Sequence, residues 1–174
     1  NHKQAMKNCF KALEMKRNDG DIQKTISFIY LKDHDFENGW NYFDGRLDLE
    51  DFKEKSSYVK KLNKKLYRSS NLNNKRDKFL VVREQGIGDE ILYSSMYEDL
   101  LNDIDNTVIE CDLRLLNLYK RSFPKYSEKF VSLGSITNDD EKFKKINNII
   151  YAGSLGRYYR KNIKDFKNNS FLKV

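Results

Sequence analysis

Between Lys78 and Leu92 an unbroken apolar run, Phe79-Leu80-Val81-Val82, passes through Arg83-Glu84-Gln85 to two closely spaced glycines, Gly86-Ile87-Gly88, and turns helical at Asp89-Glu90-Ile91-Leu92. The pattern reads as a strand, a tight loop and the start of a helix. A junction of this kind turns backbone N–H groups outward at a helix N-terminus, where anionic or hydroxyl-rich ligands are held. Glu84, Gln85, Gly86 and Gly88 are therefore candidate binding residues.

The elements after Lys78 alternate. Phe79 to Arg83 reads as a strand, Glu90 to about Asn102 as a helix carrying Ile91, Leu92, Met96, Leu100 and Leu101, and Thr107 to Cys111 as a second strand. Leu113 to Phe123 reads as a helix stopped before Pro124. Phe130 to Leu133 is a short strand, and a charged segment (138–145) precedes a last one, Asn148 to Tyr151. Strands alternating with helices imply parallel pairing through right-handed crossovers, hence an α/β, Rossmann-like sheet. Ligands of open parallel sheets sit beyond the carboxyl ends of the strands, where residues 84–89, 111–114, 133–137 and 152–157 are expected to meet. The last of these brings in Ser154 and Arg157, and Arg157 opens a basic and aromatic stretch, Arg157-Tyr158-Tyr159-Arg160-Lys161, suited to a phosphate, a sugar or a packed tyrosine pair.

The glycines do not make a dinucleotide fingerprint, because Ile91 stands where the third glycine belongs, and no lysine follows them as in a Walker loop. Asp89 reads in three ways that the residues leave open. It is a cap for the first-turn amides, a contact for a substrate hydroxyl, or a general base, although a helix N-terminus favours the anion and lowers its basicity.

The first third has a different organisation. Ala5, Cys9 and Ala12 stand four and three apart, and Gly39, Phe43 and Arg46 repeat that spacing 34 residues later. Ile22, Ile26, Ile29 and Tyr30 form one apolar stripe and Phe36, Trp40 and Phe43 another, so two amphipathic helices can face each other. Ser27, Tyr30 and Phe36 with the turn Asp33-His34-Asp35 complete a unit that resembles the tetratricopeptide repeat. Arg17 and Arg46 depart from that pattern, standing where the repeat has a proline and a small residue. Such repeats bury their faces only by stacking, so further repeats are expected before Asn1. By this resemblance the helices bind a protein partner or act as a spacer, and Trp40 is expected to pack rather than to hold a ligand.

Between them the pattern weakens. Residues 51–77 read as a basic linker in which Tyr58, Leu62 and Leu66, among Lys60, Lys61, Lys64 and Lys65, form a short amphipathic helix, flanked by the loop chemistry of 69–75. The domains expected are thus 1–50, 51–77 and 78–174.

The chain is rich enough in aromatic residues, at 13%, to fold despite 34% charged residues. Cys9 and Cys111 lack metal spacing and are read as two reduced thiols, and His2 and His34 are isolated, so no metal site is expected. No run approaches the roughly 20 apolar residues of a membrane span, which suits a cytoplasmic protein. The formal charge of +7 admits a polyanion. Because Lys and Arg recur in nearly every segment, it reads as a generally solvated basic surface, with no specific nucleic-acid partner.

Trp40-Asn41-Tyr42-Phe43-Asp44-Gly45-Arg46, followed by Glu84-Gln85-Gly86-Ile87-Gly88-Asp89, with Arg121-Ser122-Phe123-Pro124 and Gly153-Ser154-Leu155, resembles bacterial tetratricopeptide-repeat proteins fused to a two-Rossmann (GT-B) glycosyltransferase-like domain. These are similar to the O-linked N-acetylglucosamine transferase group and to heptosyltransferases. The resemblance implies an N-terminal Rossmann half that presents an acceptor, protein or glycan, and a C-terminal half holding most of the nucleotide-sugar donor. Asp89 matches the aspartate of the heptosyltransferase glycine loop, placed as a possible base. No cofactor or metal is implied. The second half is expected beyond Val174, so this chain alone is expected to be inactive. The alternative is a non-catalytic tetratricopeptide scaffold.

Overall fold

A computed structural model describes residues 2–72, 77–84, 86–136 and 140–173. They form an α/β chain with ten α-helices and one five-stranded parallel sheet. Two compact units result: Asn1–Val59 with Arg160–Phe166, and Lys60–Tyr159 with Lys167–Val174. The division after Val59 falls inside the segment that reads as a linker.

The first unit is built on α1 (His2–Met15), α2 (Gly20–Lys32) and α3 (Phe36–Phe43), followed by a 3-10 turn (Asp44–Asp48) and α4 (Glu50–Lys55). Two aspartates define the starts. Asp19 caps α2 by accepting from the amides of Asp21 and Ile22, both at 3.1 Å, and Asp35 caps α3 by accepting from the Asn38 amide at 3.2 Å. His34, at φ 62, turns the chain between α2 and α3, at the place the Asp-His-Asp turn is expected. The two helices approach closely because the contact residues are small. Ser27 is fully buried and its hydroxyl donates to the Gly39 carbonyl at 2.8 Å, and a Cβ on Gly39 would lie 2.5 Å from Leu31 Cδ2. Tyr30 stacks on Tyr42 with centroids 6.0 Å apart. Trp40 packs, as expected, edge-on to Phe43 at 5.3 Å, and its indole N–H donates to the Arg160 carbonyl at 2.8 Å.

Arg46 breaks the repeat pattern physically. The spacing places it on the helix of Gly39 and Phe43, but α3 ends at Phe43, and Arg46 lies buried in the 3-10 turn. There its guanidinium is 3.1 Å from Asp44, donates to the Phe43 carbonyl at 3.0 Å and covers the Phe43 ring at 4.1 Å. The turn presses on α2 where both backbones are bare: a Cβ on Gly20 would stand 2.6 Å from the Gly45 carbonyl oxygen. Gly20→Ala gains helix propensity, worth about 1 kcal/mol, yet must push back a backbone oxygen, which costs about 1–3 kcal/mol. The expected outcome is a net loss of stability, up to about 2 kcal/mol, read as a lower urea midpoint at unchanged m-value.

The division falls within α5 (Ser57–Lys61), and the second unit goes on with β1 (Lys65–Leu66), then β2 (Phe79–Val82), α6 (Ile87–Ser94), α7 (Tyr97–Asp103), β3 (Thr107–Cys111) and α8 (Leu113–Ser122). A 3-10 segment (Pro124–Lys129), β4 (Phe130–Ser132), α9 (Glu141–Lys144), β5 (Asn148–Tyr151), a 3-10 turn (Ala152–Leu155) and α10 (Gly156–Tyr159) complete it. The sheet order is β1-β5-β2-β3-β4, all parallel. Every residue of β2 and β5 is buried, as suits strands covered on both faces. Strands β2 to β5 lie where the alternation of the sequence puts them. The amphipathic helix expected from Tyr58 through Leu66 forms only as far as Lys61: Asn63 at φ 49 turns the chain, and Lys65 and Leu66 pair as a strand with Asn148 and Ile149.

The helix expected over residues 90–102 is two helices. Ser94 and Ser95 turn their hydroxyls back to the carbonyls of Ile91 and Leu92 at 2.7 and 2.8 Å, and α6 ends there. Its inward face is Glu90, Tyr93 and Ser94, while Leu92 is 65% exposed. The chain of the last residues lies on α7 and α8: Lys167 bonds Asp99, and the Lys173 amide donates to Ser122 Oγ at 2.9 Å.

Candidate functional site

Parallel pairing puts the carboxyl ends of all strands on one edge, and the strand order reverses between β2 and β5, because the chain runs from β2 outward to β4 and returns to the other side of β2. At this reversal the Glu84 carboxylate, 5% exposed, accepts the Gly153 amide at 2.5 Å and ties the loop after β2 to the turn after β5. Ser154 is buried in that turn, which packs against α6. Glu84 and Ser154, candidates for ligand contact, are thus both buried within the frame of the site.

Gly86, in extended backbone (φ −94, ψ 175), is the N-cap of α6, and Asp89 is three residues into the helix rather than at its cap. The Asp89 carboxylate reaches back to the Gly86 amide at 3.3 Å, and only one of its oxygens is engaged among the described residues. Gly86 and Gly88 are exposed. Neither needs to be glycine for the chain's own sake: a Cβ on Gly88 would meet nothing within 4 Å, and one on Gly86 only Asp89 Oδ2 at 3.9 Å. Gln85 lies outside the described residues.

Beside this loop stands a cluster that sequence reasoning did not single out. Glu90 is fully buried, accepting from Arg83 Nε at 2.7 Å and from the Asp112 amide at 2.9 Å, so one carboxylate spans the ends of β2 and β3. Asp112 caps α8 through the Arg114 amide at 3.0 Å and takes the Arg114 guanidinium in two bonds of 2.9 Å, with Arg83 3.7 Å away. Burial pushes the Glu90 carboxyl up, opposed by the Asp112 amide and Arg83. The Arg114 guanidinium holds the Asp112 carboxyl well below the usual carboxylate range, helped by the Arg114 amide and Arg83. Burial raises the Cys111 thiol to about 12, which makes it a poor nucleophile. A charge facing inward on α6 was the available signal, hidden by the apolar Ile91 and Leu92 beside it.

The remaining candidates disperse. Arg157 is half-buried and donates to the Arg68 carbonyl at 3.4 Å, at the β1 end of the edge, and Tyr158 donates to the Ser69 carbonyl at 2.6 Å. Leu133 joins the edge through its amide, which bonds the Cys111 carbonyl at 2.9 Å, while Thr137 is outside the described residues. Cys9 and Cys111 are free thiols in different units, His2 lies 2.8 Å from Asp33, and no cluster able to hold a metal occurs among the described residues. Within the first unit, residues 16–21 and 48–51 line a groove of about 490 Å³ rich in acidic side chains.

No family model, curated protein or solved structure matches this chain. Among the described residues no helix is long and apolar enough to cross a membrane.

Two measurements bear on this geometry. Gly88→Ala is expected to leave stability unchanged or to raise it by up to about 1 kcal/mol, since alanine is the better helix former; a clear loss in a urea titration would mean that the space is not open. Asp112 and Glu90 act on stability with opposite sign. Asp112, depressed from 3.8, contributes in full above that value and its contribution is lost as pH falls through the folded value; Glu90, raised from 4.5, contributes in full below that value and its contribution is lost as pH rises through the folded value. Asp112→Asn, which still caps α8, should therefore melt below the wild type near neutral pH, with the gap closing below about pH 4.

Proposed function

We propose that this chain is part of a glycosyltransferase, moving a sugar from a nucleotide-sugar donor to an acceptor hydroxyl, with tetratricopeptide-like helices for a protein partner. One observation carries the reading. The Glu-Gln-Gly-Ile-Gly-Asp loop opens α6 beside the reversal of strand order, with both glycines exposed and uncrowded. Small residues that the chain's own packing does not require leave room for a ligand to approach the backbone.

In this reading the acceptor lies along the glycine loop. Its hydroxyl oxygen forms the new bond to the anomeric carbon, the bond from that carbon to the nucleotide phosphate breaks, and the hydroxyl proton passes to Asp89. The helix N-terminus that holds Asp89 as an anion also limits its basicity, so orientation of the hydroxyl is part of the same role. Arg83 and Arg114 are engaged by Glu90 and Asp112 and are not assigned to donor phosphate. The donor belongs to the second Rossmann half that the resemblance implies.

The full-length protein, incubated with a panel of nucleotide-sugars, should hydrolyse or transfer one of them. Asp89→Asn should lower turnover at least about 100-fold at nearly wild-type stability, because the asparagine oxygen can still accept the Gly86 amide. Unchanged turnover would reject Asp89 as the base.

A second reading, a non-catalytic scaffold, is favoured by the acid-rich groove of the first unit, whose Asp19, Asp21, Asp48, Glu50 and Asp51 suit a basic segment of a partner. Absence of transfer from every donor would favour it.

A further inference from the structure

The chain has 33 basic and 26 acidic side chains and a formal charge of +7. Residues 56–76 hold seven of the basic ones, Lys60, Lys61, Lys64, Lys65 and Arg68 among them, and no acid, which leaves the rest of the chain balanced at 26 against 26. The excess charge is therefore local, in contrast to the evenly solvated basic surface expected from the spread of lysines.

The fold sets residues 60–72 of this segment at the β1 side of the sheet. Strand β1 pairs with β5 at the outer position, with Lys65 opposite Asn148 and Leu66 opposite Ile149. Lys60, Lys61, Lys65 and Arg68 are exposed. Lys64 is half-buried, and its ammonium lies over the Phe143 ring, 4.7 Å from the centroid, where it keeps its charge. Past the strand, the half-buried Arg157 donates to the Arg68 carbonyl and is not counted among the five cations of the border. Acids share the end of the border where Lys64 and Lys65 stand, the Lys65 amide bonding the Asn147 carbonyl at 3.3 Å; there Asp77, Asp140 and Glu141 are matched in number by Lys78, Lys144 and Lys145, and Lys144 bonds Glu141 at 2.9 Å.

We propose that the β1 border is a docking surface for the phosphate backbone of a nucleic acid, bound without reading its sequence. Cations carried in succession from the end of α5 through the short β1 to Arg68 suit a chain of phosphates, and the exposed Ser69, Ser70 and Asn71 supply the neutral donors common at such contacts. An anionic membrane is the poorer partner. Among the described residues, none of the exposed large apolar side chains, from Met15 to Phe166, lies within 56–72, so no large apolar group there is placed to enter hydrocarbon. Tyr67 does not serve base stacking, because its ring packs edge-on to Phe79 at 5.0 Å. This surface stands whether or not the chain belongs to a glycosyltransferase.

The test is a polarisation titration with mixed-sequence duplex DNA and single-stranded RNA of about 20 nucleotides, repeated at several salt concentrations, beside phosphatidylserine vesicles. Five contacts predict that log K falls with log salt at a slope of about −3.5 to −4.5. Replacing Lys60, Lys61, Lys64 and Lys65 together by Gln should weaken binding at least about 30-fold at low salt and bring the slope to about −1. Replacing Lys3, Lys7, Lys11 and Lys32 by Gln, an equal change of charge, should leave affinity within about 3-fold. Equal losses in the two variants, no binding to either nucleic acid, or binding to vesicles alone would each overturn the proposal. Melting curves of both variants show that any loss is not unfolding.

Discussion

Strand β2 is hydrogen-bonded in parallel on both sides, to β3 and to β5, with every residue from Phe79 to Val82 buried. Burial on both faces and both edges leaves the strand one way out, through its carboxyl end. Parallel pairing sends the neighbouring strands out on that same side, so the polar loops converge there. The loop after β2 must then satisfy backbone groups from several chain segments where little water reaches.

Two buried carboxylates do this. Glu84 takes the Gly153 amide across the reversal of strand order, and Glu90 takes the Asp112 amide together with Arg83. Each joins strands that are distant in sequence, and each is costly to bury without such partners. What remains outside this frame is the start of α6, with Gly86, Gly88 and Asp89 at the surface. A rigid support under an uncrowded loop is an arrangement suited to holding a ligand. The first unit solves a different problem with small contacts: Ser27 against Gly39, and Gly20 against Gly45, bring backbones together where larger side chains would hold them apart.

Much of the second unit was legible because its strands are short apolar runs between turn residues, and β3 and β5 have the bounds that their sequences suggest. Strand β1 was not, since Lys65 and Leu66 make a strand only by pairing with β5, and in isolation their spacing with Tyr58 and Leu62 imitates a helix. The division of the helix after β2 was also missed, because the two serines compete for carbonyls in a way that periodicity does not register. Within the site, the place of the glycine loop at the start of a helix could be read in advance, while the burial of Glu84 and Ser154 could not. Arg157 could not, as its direction depends on the loop after β1. The acid-free stretch from 56 to 76 was present in the composition but is obscured when lysines are counted over the whole length.

By itself the amino-acid sequence determined the class of fold, the positions of four strands and the loop that opens α6, because burial and turn formation are local consequences of side-chain chemistry and spacing. Only the tertiary structure decided what the charged residues do. Glu84 became a clamp and Glu90 a buried bridge, while the lysines around β1 line one border of the sheet. The reason is that a charge in sequence carries no partner with it: its role is set by the segments that the strand order brings alongside.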